Sequence, residues 1–391
     1  MSDDRGSCPA GGRSRVLCWG TYDTSKPRTR ILRDGLRARA MIQECHATVW
    51  EEVEDKAQVD GHRRRLGLLL RWFGRYPLLL WRFLRAPRPD IVLVGFPGVL
   101  DVIAVLPLAR LRRVPVVWDM FMSLYDTVVL DRRLIPPASL GARLLHGIEG
   151  FALRRADLVF LDTETHARRV EGLYGLPPRH CGAVWVGAEV ERFRLPPATA
   201  AAARLPGAPL RALFYGQLIP LHGIDTIVGA ARLLREEAVE WTIIGRGQEG
   251  AKLRRLLAET PLPRLRWIEW VEYAELRRWL AEADVCLGIF GTSDKAASVI
   301  PNKVFQAVAA GRPLITRDSP AIRELLEPVP RCVCLVPPGD ARALAEAVRS
   351  HANRTPIPEP GPCHASLADR IEAAAIARQF EELVARRLGH R

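Results

Sequence analysis

The sequence predicts an α/β protein made of two Rossmann-like domains, whose parallel sheets face an interdomain cleft. Three features predict it. Apolar runs of strand length alternate with amphipathic segments of helix length along most of the chain. Glycine or aspartate punctuates the ends of these runs, where a strand must hand over to a loop. A proline- and alanine-rich stretch near the middle separates two such series. At 391 residues the chain can bury two cores.

Residues 1–13 carry no apolar run and are expected to be a disordered tail. The first domain, 14–195, is expected to hold strands at 14–19, 45–50, 91–94, 114–118, 157–161 and 182–186. Its helices are expected after Pro27, with Ile31, Leu32, Leu36, Met41 and Ile42 on one side, and at 98–112, 139–155 and 164–174. Residues 196–209 are read as the linker. The second domain, 210–364, is expected to hold strands at 211–215, 240–244, 265–269, 284–290, 312–316 and 332–336. Residues 365–391 read as an amphipathic helix that packs back toward the first domain. Strand–helix alternation of this kind implies right-handed crossovers, with ligands beyond the carboxyl ends of the strands.

Hydrophobic residues make up 48% and charged residues 26%, the balance of a globular chain. The net charge of +13 admits a nucleic acid, an anionic membrane or an anionic substrate as partner. Neither zinc-finger spacing nor an RNA-binding signature is present, so no nucleic acid is expected. The eight cysteines form no CxxC pair; Cys332 and Cys334 alternate along one strand as core residues would. A reduced, cytoplasmic protein is expected, with no metal site. The start, MSDDRGSCPAGGRSR, lacks the apolar region of a signal peptide. Residues 91–109 approach membrane-span length, but Gly95, Pro97, Gly98 and Asp101 interrupt them, so strand, turn and helix are expected instead.

Residues 62–85 mix arginines with Trp72, Phe73, Tyr76, Trp81 and Phe83. Such a stripe suits peripheral contact with an anionic membrane, at the inner face of the cell membrane. A core-packed helix pair kinked at Pro77 is the competing reading.

The chemistry is concentrated in residues 284–318. A strand, a loop, a helix opened by Pro301 and stopped at Gly311, and a second strand form a βαβ unit. Only five of the 57 basic residues are lysines, yet Lys295 and Lys303 lie at this helix entrance. Free N–H groups near Asn302, the positive helix end and compact ammonium groups suit a diphosphate. Further loops at strand ends are candidates for the same ligand. Gly20 and Thr21 would reach it from the first domain. Gly216, Gln217 and His222 precede Gly223, and Gly245, Arg246 and Gly247 would bring backbone close to a nucleoside.

Four segments resemble, in order, retaining GT-B glycosyltransferases of family 4 (glycosyltransferase group 1). FYGQLIPLHGIDTIVGAARLL resembles the opening of that family's C-terminal domain. WTIIGRGQE is similar to its next strand and Gly-x-Gly turn. NKVFQAVAAGRPLIT matches its nucleotide-sugar helix, and CVCLVPPGDARALAEAV its closing strand and helix. The resemblance covers 211–350 well, and the first domain mainly in layout. It implies a GT-B fold and a sugar transfer, metal-independent and retaining, from a nucleotide-diphosphate sugar such as a UDP-sugar. The acceptor implied is a glycan or a lipid-linked precursor; no other cofactor is implied. The pattern also departs from the family. Gln217 and His222 stand where an arginine and a lysine usually bind diphosphate. The two bracketing glutamates fall on Ser298 and Gln306, leaving Gln306 to reach ribose as an amide. Lys295, Lys303 and His222 would then hold the leaving diphosphate. Asp119, aligned with a family histidine, or Asp126 would orient the acceptor hydroxyl or stabilise positive charge. An N-cap or an arginine partner is the competing role of Asp119. Another GT-B enzyme, an NDP-sugar epimerase or a sugar-phosphate synthase, and a non-catalytic scaffold are the alternatives.

Overall fold

The computed structural model describes residues 13–49, 67, 71–196, 207–353 and 364–389. The expected tail, most of the linker and the first part of the 62–85 segment lie outside the described residues.

The first sheet has six parallel strands: β1 (Arg15–Gly20), β2 (Met41–His46), β3 (Ile91–Val94), β4 (Val116–Phe121), β5 (Leu158–Leu161) and β6 (Cys181–Ala183). They lie in the order β2-β1-β3-β4-β5-β6. Val92, Val94, Val116 and Trp118 are wholly buried, as a sheet covered on both faces requires. β2 corrects the expected strand at 45–50: it begins at Met41, which the helical reading had absorbed. It is an edge strand on which only Cys45 is buried, so it has no apolar run to announce it.

Among the described residues of the first domain, the helices that cover this sheet are α1 (Pro27–Arg39), α2 (Tyr76–Arg85), α3 (Val99–Leu111), α4 (Leu140–Arg155) and α5 (Glu164–Tyr174). Residues 91–109 form β3, a turn and α3, and no helix among the described residues is long and apolar enough to cross a membrane.

The second sheet contains β7 (Leu210–Tyr215), β8 (Val239–Ile244), β9 (Leu265–Ile268), β10 (Val285–Leu287), β11 (Leu314–Arg317) and β12 (Val333–Val336). It too is parallel, in the order β12-β11-β10-β7-β8-β9. The expected strand at 284–290 is shorter, and part of its following loop is helical. The helices that position the site are α6 (Ile224–Leu233), α7 (Asp294–Ser298) and α8 (Asn302–Ala309). α7 starts where the Ser293 hydroxyl accepts a bond from the Ala296 N–H, an N-cap that the sequence reading passed over. Farther on lie α9 (Pro320–Leu326) and α10 (Ala341–Asn353). The last helix, α11 (Ala373–Leu388), packs on the first domain. Its Ile376, Ala377 and Phe380 share a core with Ile31, Leu32 and Leu36 of α1. Gly35 permits that approach: a Cβ there would lie 2.0 Å from the Ala373 carbonyl oxygen.

Cys18, Cys45, Cys181 and Cys286 are free thiols, whereas Cys332 is disulfide-bonded, against the expectation of a fully reduced chain.

The carboxyl ends of the two sheets face each other and touch. Ser293 donates to Asp131 Oδ1 (2.9 Å), Gln248 donates to the Arg132 carbonyl (2.9 Å), and the Thr165 N–H donates to Glu324 (2.8 Å).

Candidate active site

The site is built from the loops that follow β7, β8 and β10, together with the first turn of α8. Gly216 follows β7 at φ 135° and Gly245 follows β8 at φ 149°. A Cβ on Gly245 would sit 1.9 Å from the Gly216 carbonyl, so the loops can touch only through glycine. Gly223, at φ 66°, turns the chain into α6 against Phe290 and Gly291. Gly247 fits against the Leu218 carbonyl in the same way, and the Arg246 side chain is exposed at the rim.

Lys303 stands in the middle. Its Nζ lies 3.8 Å from the centre of the Phe214 ring and 3.2 Å from where a Gly216 Cβ would be. That ammonium is buried and has no hydrogen-bond partner among the described residues. Burial pushes its pKa well below the usual lysine range. His222 is buried beside it, and its Nδ1 bonds to the Gln217 carbonyl. Burial, and then the charge of Lys303, push the imidazole well below its usual pKa. The imidazole is therefore neutral: Nδ1–H donates to Gln217, and Nε2 keeps its lone pair. Asn302 is half-buried at the start of α8, which no side chain caps. These groups form a cradle for an anion: a cation and an imidazole at a sheet edge, beside an open helix N-terminus.

Several expected residues do other work. Lys295 points away from Lys303. Its ammonium donates to the Thr127 hydroxyl of the first domain, in the field of Asp126 and Asp131. Asp126 is fully buried and paired with Arg169 (2.7 Å), which also reaches Asp294 (3.3 Å). Lys295 and Asp126 thus take part in contacts between the two domains, away from the Lys303 cradle. At Asp119 the Arg28 guanidinium grips both carboxylate oxygens (2.7 and 2.9 Å) and donates to the Val184 carbonyl (2.8 Å). The competing role, an arginine partner, is the one it fills.

Gly20 and Thr21 turn toward Asp101. A Cβ on Gly20 would meet the Asp101 carboxyl at 2.8 Å, and the N–H of Thr21 donates to Asp101 Oδ2 (3.0 Å). Gln306 is occupied as well: its amide oxygen accepts from Tyr215 (2.8 Å) and its NH₂ donates to Tyr273 (3.2 Å). Tyr273 in turn donates to Glu189 (2.6 Å), which pairs with Arg30 (3.0 Å). A helix position four residues past Asn302 says nothing of this chain of partners, which comes from four distant segments.

One pair escaped the sequence reading. His166, in the first turn of α5, donates from Nδ1 to Asp162 (2.6 Å), just past the end of β5. Its Nε2 is buried, with no partner among the described residues. Thr163, between them in sequence, donates to the Ser298 carbonyl of the facing domain. An aspartate four residues before a histidine, at a strand-to-helix turn, was the available signal.

Residues 209–353 match the family profile described as "Glycosyl transferases group 1", and residues 9–184 match "Glycosyl transferase 4-like domain". The chain belongs to the group 1 glycosyltransferase family. It is 31% identical over 180 residues to the amylovoran biosynthesis glycosyltransferase AmsK of Erwinia amylovora, covering 44% of this chain and 42% of that one. It is 28% identical over 246 residues to the probable glycosyltransferase WbjE of Pseudomonas aeruginosa, covering 59% and 58%. These matches therefore span about half of each relative's length. Among solved structures, Anabaena HepE in complex with UDP superposes with a TM-score of 0.66 at 14% identity, covering 95% of this chain and 100% of that one. The sucrose-phosphate synthase of Thermosynechococcus elongatus superposes at 0.69 and 15%, covering 97% and 100%. At such identity these structures establish the fold, GT-B.

Proposed function

We propose that this group 1 chain transfers a sugar from a nucleotide-diphosphate sugar to a glycan or lipid-linked acceptor, with retention of configuration. One observation carries the reading: the unpartnered ammonium of Lys303 sits buried at the carboxyl edge of the second sheet. Burial without a partner disfavours the charged form of this lysine, and an anion beside it restores the charge. The diphosphate of the donor is the anion that belongs at this edge.

On this reading Lys303 meets the charge that builds on the departing diphosphate, and no metal is called for. His222 takes up a proton as the diphosphate arrives, so that Nε2–H can donate to a phosphate oxygen. Gly245 and Gly247 let the nucleoside lie against backbone. His166, held by Asp162, offers Nε2 as an acceptor for a sugar hydroxyl. UDP is the favoured nucleotide, since structural neighbours such as Anabaena HepE were solved with UDP and UDP-glucose. Contact with an anionic membrane through 62–85 belongs to the same proposal, with the chain peripheral at the cytoplasmic face.

The test is a hydrolysis screen over UDP-, GDP- and dTDP-sugars, with calorimetry of the free nucleotides. Turnover of one sugar class supports the reading. If no nucleotide diphosphate binds, the scaffold reading replaces it.

A further inference from the structure

We propose that the outer face formed by α2, α3 and α4 is a docking surface for an anionic lipid bilayer. This deepens the membrane contact proposed above, but it does not depend on the donor site, so the two can fail separately.

The three helices lie side by side on one face of the first sheet. Tyr76, Leu79 and Phe83 fix α2 to the core. Arg112 stacks over Phe83 (5.1 Å) and donates to the Ala86 carbonyl (2.8 Å), which joins the end of α3 to the end of α2. Arg110 donates to the Arg155 carbonyl (2.9 Å), joining α3 to α4.

Their outer sides combine two properties that rarely coincide. The first is apolar exposure. Of the twelve large apolar side chains that remain exposed among the described residues, eight are here. Phe73, Leu78, Trp81 and Leu84 belong to α2 and its approach; Leu111 ends α3; Leu140, Leu144 and Phe151 lie on α4. Leu140 is 81% exposed, Leu111 76% and Trp81 50%, levels that packing within the chain leaves unexplained. The second is charge of one sign. The only acidic residues on these helices, Asp101 and Glu149, are both fully buried. On the helices themselves every exposed charge is an arginine, Arg82 and Arg85 on α2, Arg110 on α3 and Arg143, Arg154 and Arg155 on α4, with Arg71, Arg75 and Arg113 flanking them; Arg110 also reaches Asp157 (3.7 Å), and Asp90 is exposed beyond the end of α2. Several lie against the apolar groups. Arg85 stacks on Trp81 (4.5 Å) and Arg155 on Phe151 (5.4 Å).

A protein partner would be expected to bring carboxylates to some places and cations to others, and so to select a mixed surface. A nucleic acid would select the arginines but not the leucines. Leucine, tryptophan and phenylalanine among arginines alone fit a surface with anionic headgroups above an apolar interior.

The test is flotation of the full chain with vesicles of phosphatidylcholine containing about one-third phosphatidylglycerol, against phosphatidylcholine alone. Binding to the anionic vesicles is expected, weakening as salt rises. The double variant Trp81→Ser/Leu84→Ser should weaken it on the order of tenfold, through apolar area withheld from the lipid. Arg82→Glu with Arg143→Glu should weaken it by roughly fivefold or more per site. Leu233→Ser/Trp270→Ser, on the second domain, should leave it unchanged. Circular dichroism and UDP affinity should be the same for all variants. Failure of the unmodified chain to float with anionic vesicles overturns the proposal, as does an equal loss in the second-domain variant. Tight binding of a single-stranded oligonucleotide that depends on the arginines, with flotation indifferent to Trp81 and Leu84, also overturns it in favour of nucleic acid.

Discussion

Lys303→Met separates a ligand-binding ammonium from a merely structural one. Methionine keeps most of the lysine stem, so the contact with Phe214 and the space beside Gly216 are nearly preserved. What disappears is a buried nitrogen that bonds to nothing among the described residues. An unsatisfied buried polar group costs about 1–3 kcal/mol. Its loss should therefore stabilise the free protein, offset in part by the lost attraction to the aromatic face, about 1–2 kcal/mol when desolvated. The net expectation is a free chain as stable as the parent, or more stable by about 1 kcal/mol, a rise of roughly 2 °C in Tm. UDP affinity should fall at the same time. A charge-assisted hydrogen bond is worth about 1.5–3 kcal/mol, a weakening of roughly 10- to 150-fold. The assays are thermal melts with and without UDP, and titration calorimetry. A variant that melts well below the parent while binding UDP equally well would show that Lys303 is a structural residue, and the donor-site argument would fall.

Three further outcomes follow from other residues. Asp119→Ala should destabilise the chain by about 3–5 kcal/mol in denaturant titrations, because Arg28 is left buried without its partner; adding Arg28→Met should restore much of the loss. Unchanged stability with abolished turnover would return Asp119 to a catalytic role. His166→Ala should lower turnover on the order of tenfold with UDP affinity unchanged, and His166→Gln, which keeps an acceptor, should recover part of it. Equal stability and turnover in all three proteins would remove His166 from the site. Burial pushes the Asp101 carboxyl up to about 6 from an ordinary 3.8. The folded state then binds this proton more tightly than the unfolded state, so its contribution to stability is greatest in acid and declines as pH rises from about 4 to about 6. Asp101→Asn should flatten that decline in melts across the interval; an unaltered pH profile would contradict it.

The fold was largely legible in the sequence because buried parallel strands are written as apolar runs. β3, β4 and β8 lie close to where Ile91–Val94, Val114–Trp118 and Glu240–Ile244 placed them. β2 was misplaced because an edge strand with one buried residue carries little of that signal. The site was legible only in part. Gly216, Gly245 and Lys303 come together as loops at strand ends should, and their residue types said enough. The roles of Asp119, Asp126, Lys295 and Gln306 depended on partners 91, 43, 168 and 91 positions away, namely Arg28, Arg169, Thr127 and Tyr215. Local composition does not encode which of two lysines eight residues apart turns inward. Ser293 decides it by starting α7, which carries Lys295 toward Thr127 while Lys303 follows on α8.

Proton exchange on nucleotide binding tests the account most directly. Burial holds Lys303 and His222 below their usual pKa values, and a diphosphate arriving beside them would raise both. UDP titrated calorimetrically into the chain, in two buffers of different ionisation enthalpy, should show net proton uptake. Affinity should weaken as pH rises, by up to about tenfold per unit for each group that titrates. UDP that binds with no proton taken up and an affinity flat in pH would contradict the claim that these two residues receive its diphosphate.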